Sequence, residues 1–138
     1  MKNIFFLILP ISLLACGGSS DTKELGEDQL PVDSKFAEGK EVYDHTCVVC
    51  HMKDGMGLEK VFPPLAGSDY LLADPFRALK QVLNGSDEEM KVNGVIYDEI
   101  MPPQDVTDEE AVQVVNYILN AWGNDGGEVS EEDLEKIK

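Results

Sequence analysis

The pentapeptide Cys47-Val48-Val49-Cys50-His51 restricts the fold of this 138-residue chain more than any other feature. On a helix, Cys47 and Cys50 stand three residues apart and Cys47 and His51 four. Two thiols and an imidazole therefore project from one face and converge on one object. A thioredoxin-like dithiol requires a βαβ setting, and no strand-helix-strand pattern surrounds this one. Zinc requires four ligands. His45 is the only further thiol or imidazole nearby, and there is no second CxxC and no HxxxH. Four ligands within seven residues would be strained. The remaining cysteine is Cys16, so the count is odd and a closed disulfide framework does not account for it.

Cys16 has its own context. Met1-Lys2-Asn3 is a short basic start, and the apolar run Ile4 to Leu14 follows, broken only by Pro10 and Ser12. At eleven residues this is the core of a signal peptide and too short to span a bilayer. It ends in Leu13-Leu14-Ala15-Cys16, which resembles the lipobox of bacterial lipoproteins. The resemblance implies removal of residues 1–15 and lipidation of Cys16. Residues 16–33 mix Gly, Ser and charge without hydrophobic period, and read as a flexible tether. Its root-mean-square reach would be roughly 20–25 Å. Apolar sequence is continuous only at the N-terminus, so nothing downstream is long enough to cross a membrane. The chain carries 11 basic and 27 acidic residues, a formal net charge of −16, which disfavours nucleic-acid binding through phosphate neutralisation. A hydrophobic content of 43% excludes wholesale disorder. With no GxGxxG, Walker loop or GxSxG elbow, nucleotide-driven and esterase chemistries also fall away.

Export and the cysteine spacing together select haem. C-x-x-C-H is the attachment sequence of c-type haem, and covalent attachment takes place outside the cytoplasm. Cys47 and Cys50 would form thioethers with the two vinyl groups, and His51 would present a neutral nitrogen to the iron. The other face of the iron needs a second ligand. His45 lies on the attachment helix itself, two residues before Cys47, and cannot reach across the ring. Met52 and Met56 follow His51 too closely. Met101, fifty residues beyond His51, is the expected ligand, because Pro102-Pro103 stiffens the chain beside it. Met90 is its competitor.

The pattern around this motif is helical. Ser34 is the expected cap of a helix running from Lys35 toward Cys50, with Phe36, Tyr43 and Cys47 on one stripe. Gly39, beside that stripe, costs about 1 kcal/mol relative to Ala, which suggests a close contact with another helix. Gly and Pro crowd a loop from Met52 to Tyr70. Asp74-Pro75 starts a helix bearing Phe76, Leu79, Val82 and Leu83, and Asn84-Gly85 stops it. Val92-Asn93-Gly94-Val95 reads as a tight hairpin. Thr107-x-x-Glu110 is a capping box for a last main helix, whose stripe is Ala111, Val115, Ile118 and Trp122 and whose terminator is Gly123. The folded domain is expected over 34–124. Residues 125–138 form an acidic tail with a short helix capped by Ser130.

These elements resemble, over roughly Phe36 to Asn124, a bacterial class I monohaem cytochrome c. The similarity lies in Gly39-x-x-x-Tyr43, the attachment motif, Gly55 and Gly57, Phe62-Pro63-Pro64-Leu65-Ala66-Gly67, Tyr97-x-x-x-Met101-Pro102, and Tyr117-Ile118-x-x-x-Trp122-Gly123-Asn124. It implies an all-α fold of three to four helices around one covalent haem c, with a short β-hairpin. It also implies that a proline carbonyl, by spacing Pro63 with Pro64 the alternative, accepts a hydrogen bond from His51. Leu65 would pack on the ring and Tyr97 would belong to the ligand-methionine loop.

The implied function is electron transfer with no substrate turnover. A monomer, lipid-anchored on the periplasmic side, would shuttle single electrons through a haem iron ligated by His51 and Met101. Its implied partners are redox proteins such as a nitrite reductase, a terminal oxidase, a quinol-oxidising complex or a dehydrogenase. A five-coordinate haem enzyme or gas sensor with a labile Met101 is the alternative, and a structural zinc lipoprotein a third reading. A domain near ninety residues buries a modest core, so the apolar haem should supply much of it. The Cys47→Ser/Cys50→Ser protein is therefore expected to be largely unfolded by far-ultraviolet circular dichroism, and a native-like spectrum would contradict this.

Overall fold

The computed structural model describes residues 34–137; the leader, Cys16 and the tether lie outside the described residues. Its frame is the crossing of α1 (Ala37–Thr46) and α5 (Asp108–Asn120). A Cβ on Gly39 would stand 2.0 Å from the Gln113 carbonyl oxygen and 2.9 Å from Tyr117 Cβ. The two backbones thus touch at the only residue type that permits it. Tyr43, one turn further along α1, is fully buried against Tyr117 and Trp122, with ring centroids 5.4 and 5.1 Å away.

Ser34 does not cap α1. It opens a 3-10 turn, Ser34–Phe36, and Phe36 occupies the N-cap without a side-chain hydrogen bond. The helix expected to run on toward Cys50 is interrupted at Cys47 (φ −102°, ψ −30°) and resumes as α2 (Val48–His51). The ladder nonetheless passes through the break, with Cys47 N–H donating to Tyr43 O at 2.9 Å and His51 N–H to Cys47 O at 3.0 Å. The thiols and imidazole therefore keep their helical spacing.

The loop read over Met52–Tyr70 ends in a short helix, α3 (Asp69–Ala73), whose cap is Ser68 Oγ accepting from Leu71 N–H at 3.1 Å. Next, α4 (Pro75–Asn84) starts and stops where Asp74-Pro75 and Asn84-Gly85 place it. Its buried face is Ala78, Leu79 and Val82, with Leu83 half-buried; Phe76 is 43% exposed, at the edge of the stripe, with Lys136 Nζ over its ring. The hairpin pairs β1 (Met90–Val92) with β2 (Val95–Tyr97), and Asn93 and Gly94 adopt the positive φ angles (49° and 85°) that a type I′ turn demands.

Both halves of the capping box at Thr107 and Glu110 are formed. Helix α5 stops at Asn120, short of the expected Trp122, because Trp122 turns left-handed (φ 53°) to place its ring on Tyr43 and Tyr117. The segment read as an acidic tail packs on this helix. Asn116 exchanges two hydrogen bonds with Val129 (3.0 and 2.7 Å), Val129 and Leu134 are buried in the core, and Ser130 caps α6 (Glu131–Leu134).

Gly39→Ala tests the crossing. Alanine recovers about 1 kcal/mol of helix propensity, yet its methyl meets backbone that cannot yield. Overpacking is expected to win, with a net loss of roughly 1–3 kcal/mol read as a lower denaturation midpoint at unchanged m-value.

Candidate haem-binding site

A cavity of about 320 Å³ opens between α2, the Phe62–Leu65 segment, α4, the hairpin and the Met101 loop. Its walls are mainly apolar. Cys47, Cys50 and His51 line it from the α1–α2 junction, as the helical spacing requires. Neither cysteine is in a disulfide, and burial pushes the Cys47 thiol above its ordinary value, opposed by the Thr46 hydroxyl.

His51 Nδ1 lies 3.0 Å from the Pro63 carbonyl oxygen. A carbonyl only accepts, so Nδ1 carries the proton and Nε2 keeps its lone pair. Burial lowers the imidazole pKa, with the Pro63 bond opposing, so the ring is neutral and a competent ligand. The carbonyl is that of Pro63, not Pro64. Two features fix its position. At Gly57 (φ 62°) a Cβ would lie 2.3 Å from Phe62 O and 2.7 Å from Pro63 O, so glycine admits the proline segment. Leu65 and Ala66 then donate their N–H groups to Gly55 O at 2.7 and 3.0 Å.

Asn124 completes the clamp. Its Oδ1 accepts from Gly67 N–H (2.8 Å), and its Nδ2 is shared between Leu65 O (3.0 Å) and Ile118 O (2.7 Å). Sequence reasoning placed Asn124 only at the end of the last helix. Nothing in local spacing shows that an Asn just past a helix will reach a loop fifty-seven residues earlier.

Leu65, Tyr97 and Met101 line the same cavity, so every residue expected to hold haem is brought together. Met101 is held by a bridge to Ser86, with paired bonds of 2.8 and 2.9 Å. Gly85 makes room for it: a Cβ there would lie 2.5 Å from Met101 O. Met90 lines the cavity too, whereas His45, Met52 and Met56 do not. Among the described residues, no group of three or more His, Cys, Asp or Glu side chains could hold a metal ion, which leaves the zinc reading without a ligand set. Paired thiols, a neutral imidazole nitrogen and a thioether around an apolar slot are instead the donors that a covalent haem requires.

Fold and donor set thus define a c-type haem protein. The cytochrome c family model matches residues 36–122, and the chain belongs to the cytochrome c family, as a class I c-type cytochrome with covalently bound haem c. It is 36% identical over 125 residues to the cytochrome c subunit of alcohol dehydrogenase (quinone) from Gluconobacter oxydans (strain 621H), covering 84% of this chain and 26% of that one. It is 33% identical over 93 residues to cytochrome c-552 of Thermus thermophilus, covering 64% of this chain and 70% of that one. With the fructose dehydrogenase cytochrome subunit of Gluconobacter japonicus it shares 24% over 110 residues, 76% of this chain and 23% of that one. The chain spans about a quarter of the length of the dehydrogenase subunits it matches.

Asn124→Ala should strand the Leu65 and Ile118 carbonyls and the Gly67 N–H. A loss of roughly 1–3 kcal/mol is expected in denaturant unfolding of the holo-protein.

Proposed function

We propose that this protein is a one-electron carrier in which His51 and Met101 ligate the haem iron. The carrying observation is the bond from His51 Nδ1 to Pro63 O, which frees Nε2 in a cavity that the two thiols and Met101 also line. Bound haem iron supplies a ferric/ferrous couple. Everything else is supplied by the chain. Pro63 fixes the ring orientation of His51 and raises its basicity as a ligand. Met101, with its main chain pinned to Ser86, offers a soft thioether that favours the ferrous state, and apolar walls act in the same direction. With His51 and Met101 both holding the haem, no open site would remain for a substrate, so the chain would carry electrons and perform no turnover of its own.

Lipidation of Cys16 would hold the domain at the periplasmic side of a membrane, with residues 16–33 as tether. Relatives named as cytochrome subunits of alcohol and fructose dehydrogenases favour a dehydrogenase among the redox partners. The net charge of −16 calls for a basic docking patch on that partner, and association should slow as salt rises. The domain works as a monomer in this reading.

Met90 is the other thioether at the cavity, so paired variants test the ligation. The weak red absorption band of Met-ligated ferric haem is expected in the wild type and in Met90→Leu, and is expected to vanish in Met101→Leu, together with a fall in reduction potential. Loss of the band in Met90→Leu alone would move the ligand to Met90. Its absence from the wild type at neutral pH, with ready carbon monoxide uptake by the reduced protein, would replace the carrier with a five-coordinate haem protein.

A further inference from the structure

Ser86 and Met101 meet in an isolated bridge, outside both strands of the hairpin. Ser86 N–H donates to Met101 O at 2.8 Å, and Met101 N–H donates to Ser86 O at 2.9 Å. Two bonds at one point hold a loop weakly, because backbone groups near water exchange partners at little net cost. Beyond Met101 the loop is caught again by backbone, with Gln104 N–H donating to Val82 O at 2.9 Å. Before it, the position of Met101 is only as firm as that of Ser86.

A side chain of α4 takes hold of Ser86. Gln81 stands one turn before the end of that helix, half-buried in the cavity wall. Its Nε2 donates to Ser86 Oγ at 3.3 Å and to Tyr70 Oη at 3.2 Å. An amide nitrogen carries two protons, so these acceptors use both of them. Tyr70, on α3, is steadied in turn by the Arg77 guanidinium, which lies 3.6 Å from its ring centroid and donates Nη2 to its carbonyl. Two helices are thereby tied, through one primary amide, to the residue that pairs with Met101.

We propose that Gln81 is a positioning residue for the methionine side of the site. It acts through Ser86, as a side-chain latch that holds the Met101 backbone at the cavity wall and keeps the thioether from swinging away. The proposal rests on the reading in which Met101 ligates the haem iron. A soft thioether favours ferrous over ferric iron, so the ferric protein is the state in which a loosened latch shows. An added nitrogen ligand can enter only in those molecules whose methionine has left, and its apparent affinity scales with that fraction. One neutral hydrogen bond corresponds to about a two- to tenfold change in the fraction.

The test titrates imidazole into ferric holo-protein and follows the haem absorption spectrum. Gln81→Leu keeps much of the volume but donates nothing, and should bind imidazole about two- to tenfold more tightly than wild type. Ser86→Ala removes the acceptor and leaves the backbone pair. It should shift the affinity in the same direction, and it carries the test if Gln81→Leu does not fold. The double variant should bind no more tightly than Gln81→Leu, since both substitutions break one bond. Met101→Leu should bind more tightly than any of them. A Gln81 that merely supports the fold would lower the denaturation midpoint and leave the imidazole affinity at the wild-type value; that result, or fully additive effects of the two substitutions, would overturn the latch alone. Met101→Leu binding no more tightly than wild type would instead remove the ligation reading, and the latch with it.

Discussion

The backbone contact at Gly39 is the constraint on which the haem pocket depends. Because α1 and α5 meet with no side chain between them at this point, Tyr43, Tyr117 and Trp122 are drawn into one cluster with centroids 5.1–5.5 Å apart. Two of these rings then reach past the end of α2. The Tyr43 hydroxyl donates to Met52 O at 2.6 Å, and Trp122 Nε1 donates to Lys53 O at 3.1 Å. Burial drives the Tyr43 phenol well above its ordinary pKa and pushes Tyr117 up to about 12, so both remain neutral across the physiological range. The turn they hold contains Gly55 and Gly57, which receive the Pro63–Leu65 segment and so orient His51. The helix crossing therefore sets the direction of the His51 ring through aromatic hydrogen bonds to backbone.

How much of this was legible in the sequence follows from how local each signal is. The hairpin at Asn93-Gly94, the capping box at Thr107 and the limits of α4 each rest on residues within a few positions of one another, and each forms where the residue types place it. The convergence of Cys47, Cys50 and His51 is equally local, and it tolerates the break at Cys47 because the hydrogen-bond ladder does. Ends of elements were less readable. Ser34 has the right chemistry for a cap, but the chain tightens to 3-10 before α1 begins, and α5 ends early because Trp122 gains more from the ring cluster than from another helical position. These outcomes are decided by tertiary contacts that a short window does not contain.

Residues linked across long separations were the least legible. Asn124 serves the Leu65 carbonyl and Gly85 makes space for Met101, yet each has an adequate local explanation, as a helix-end residue or a helix stop. The acidic C-terminal segment is similar. Its composition suggests a solvated tail, while Val129 and Leu134 carry enough apolar surface to dock it on α5, guided by the side chain of Asn116. Two apolar residues at the right spacing outweigh the charge between them, since Glu131 and Glu132 stay in water and the buried Asp133 accepts from Ser130 and Lys136.

The distribution of charge separates two properties that a carrier has to set independently. Most of the carboxylates are exposed, and at physiological ionic strength their influence fades over about 8 Å. They shape the approach of a partner and its salt dependence while adding little at the iron. A charge inside the cavity is screened far less, because the surrounding atoms polarise weakly. Apolar walls and the His51–Pro63 bond are therefore the features placed to bear on the potential. The acidic surface can vary widely with the partner it meets, whereas each polar atom at the cavity wall is tied to the redox couple it surrounds.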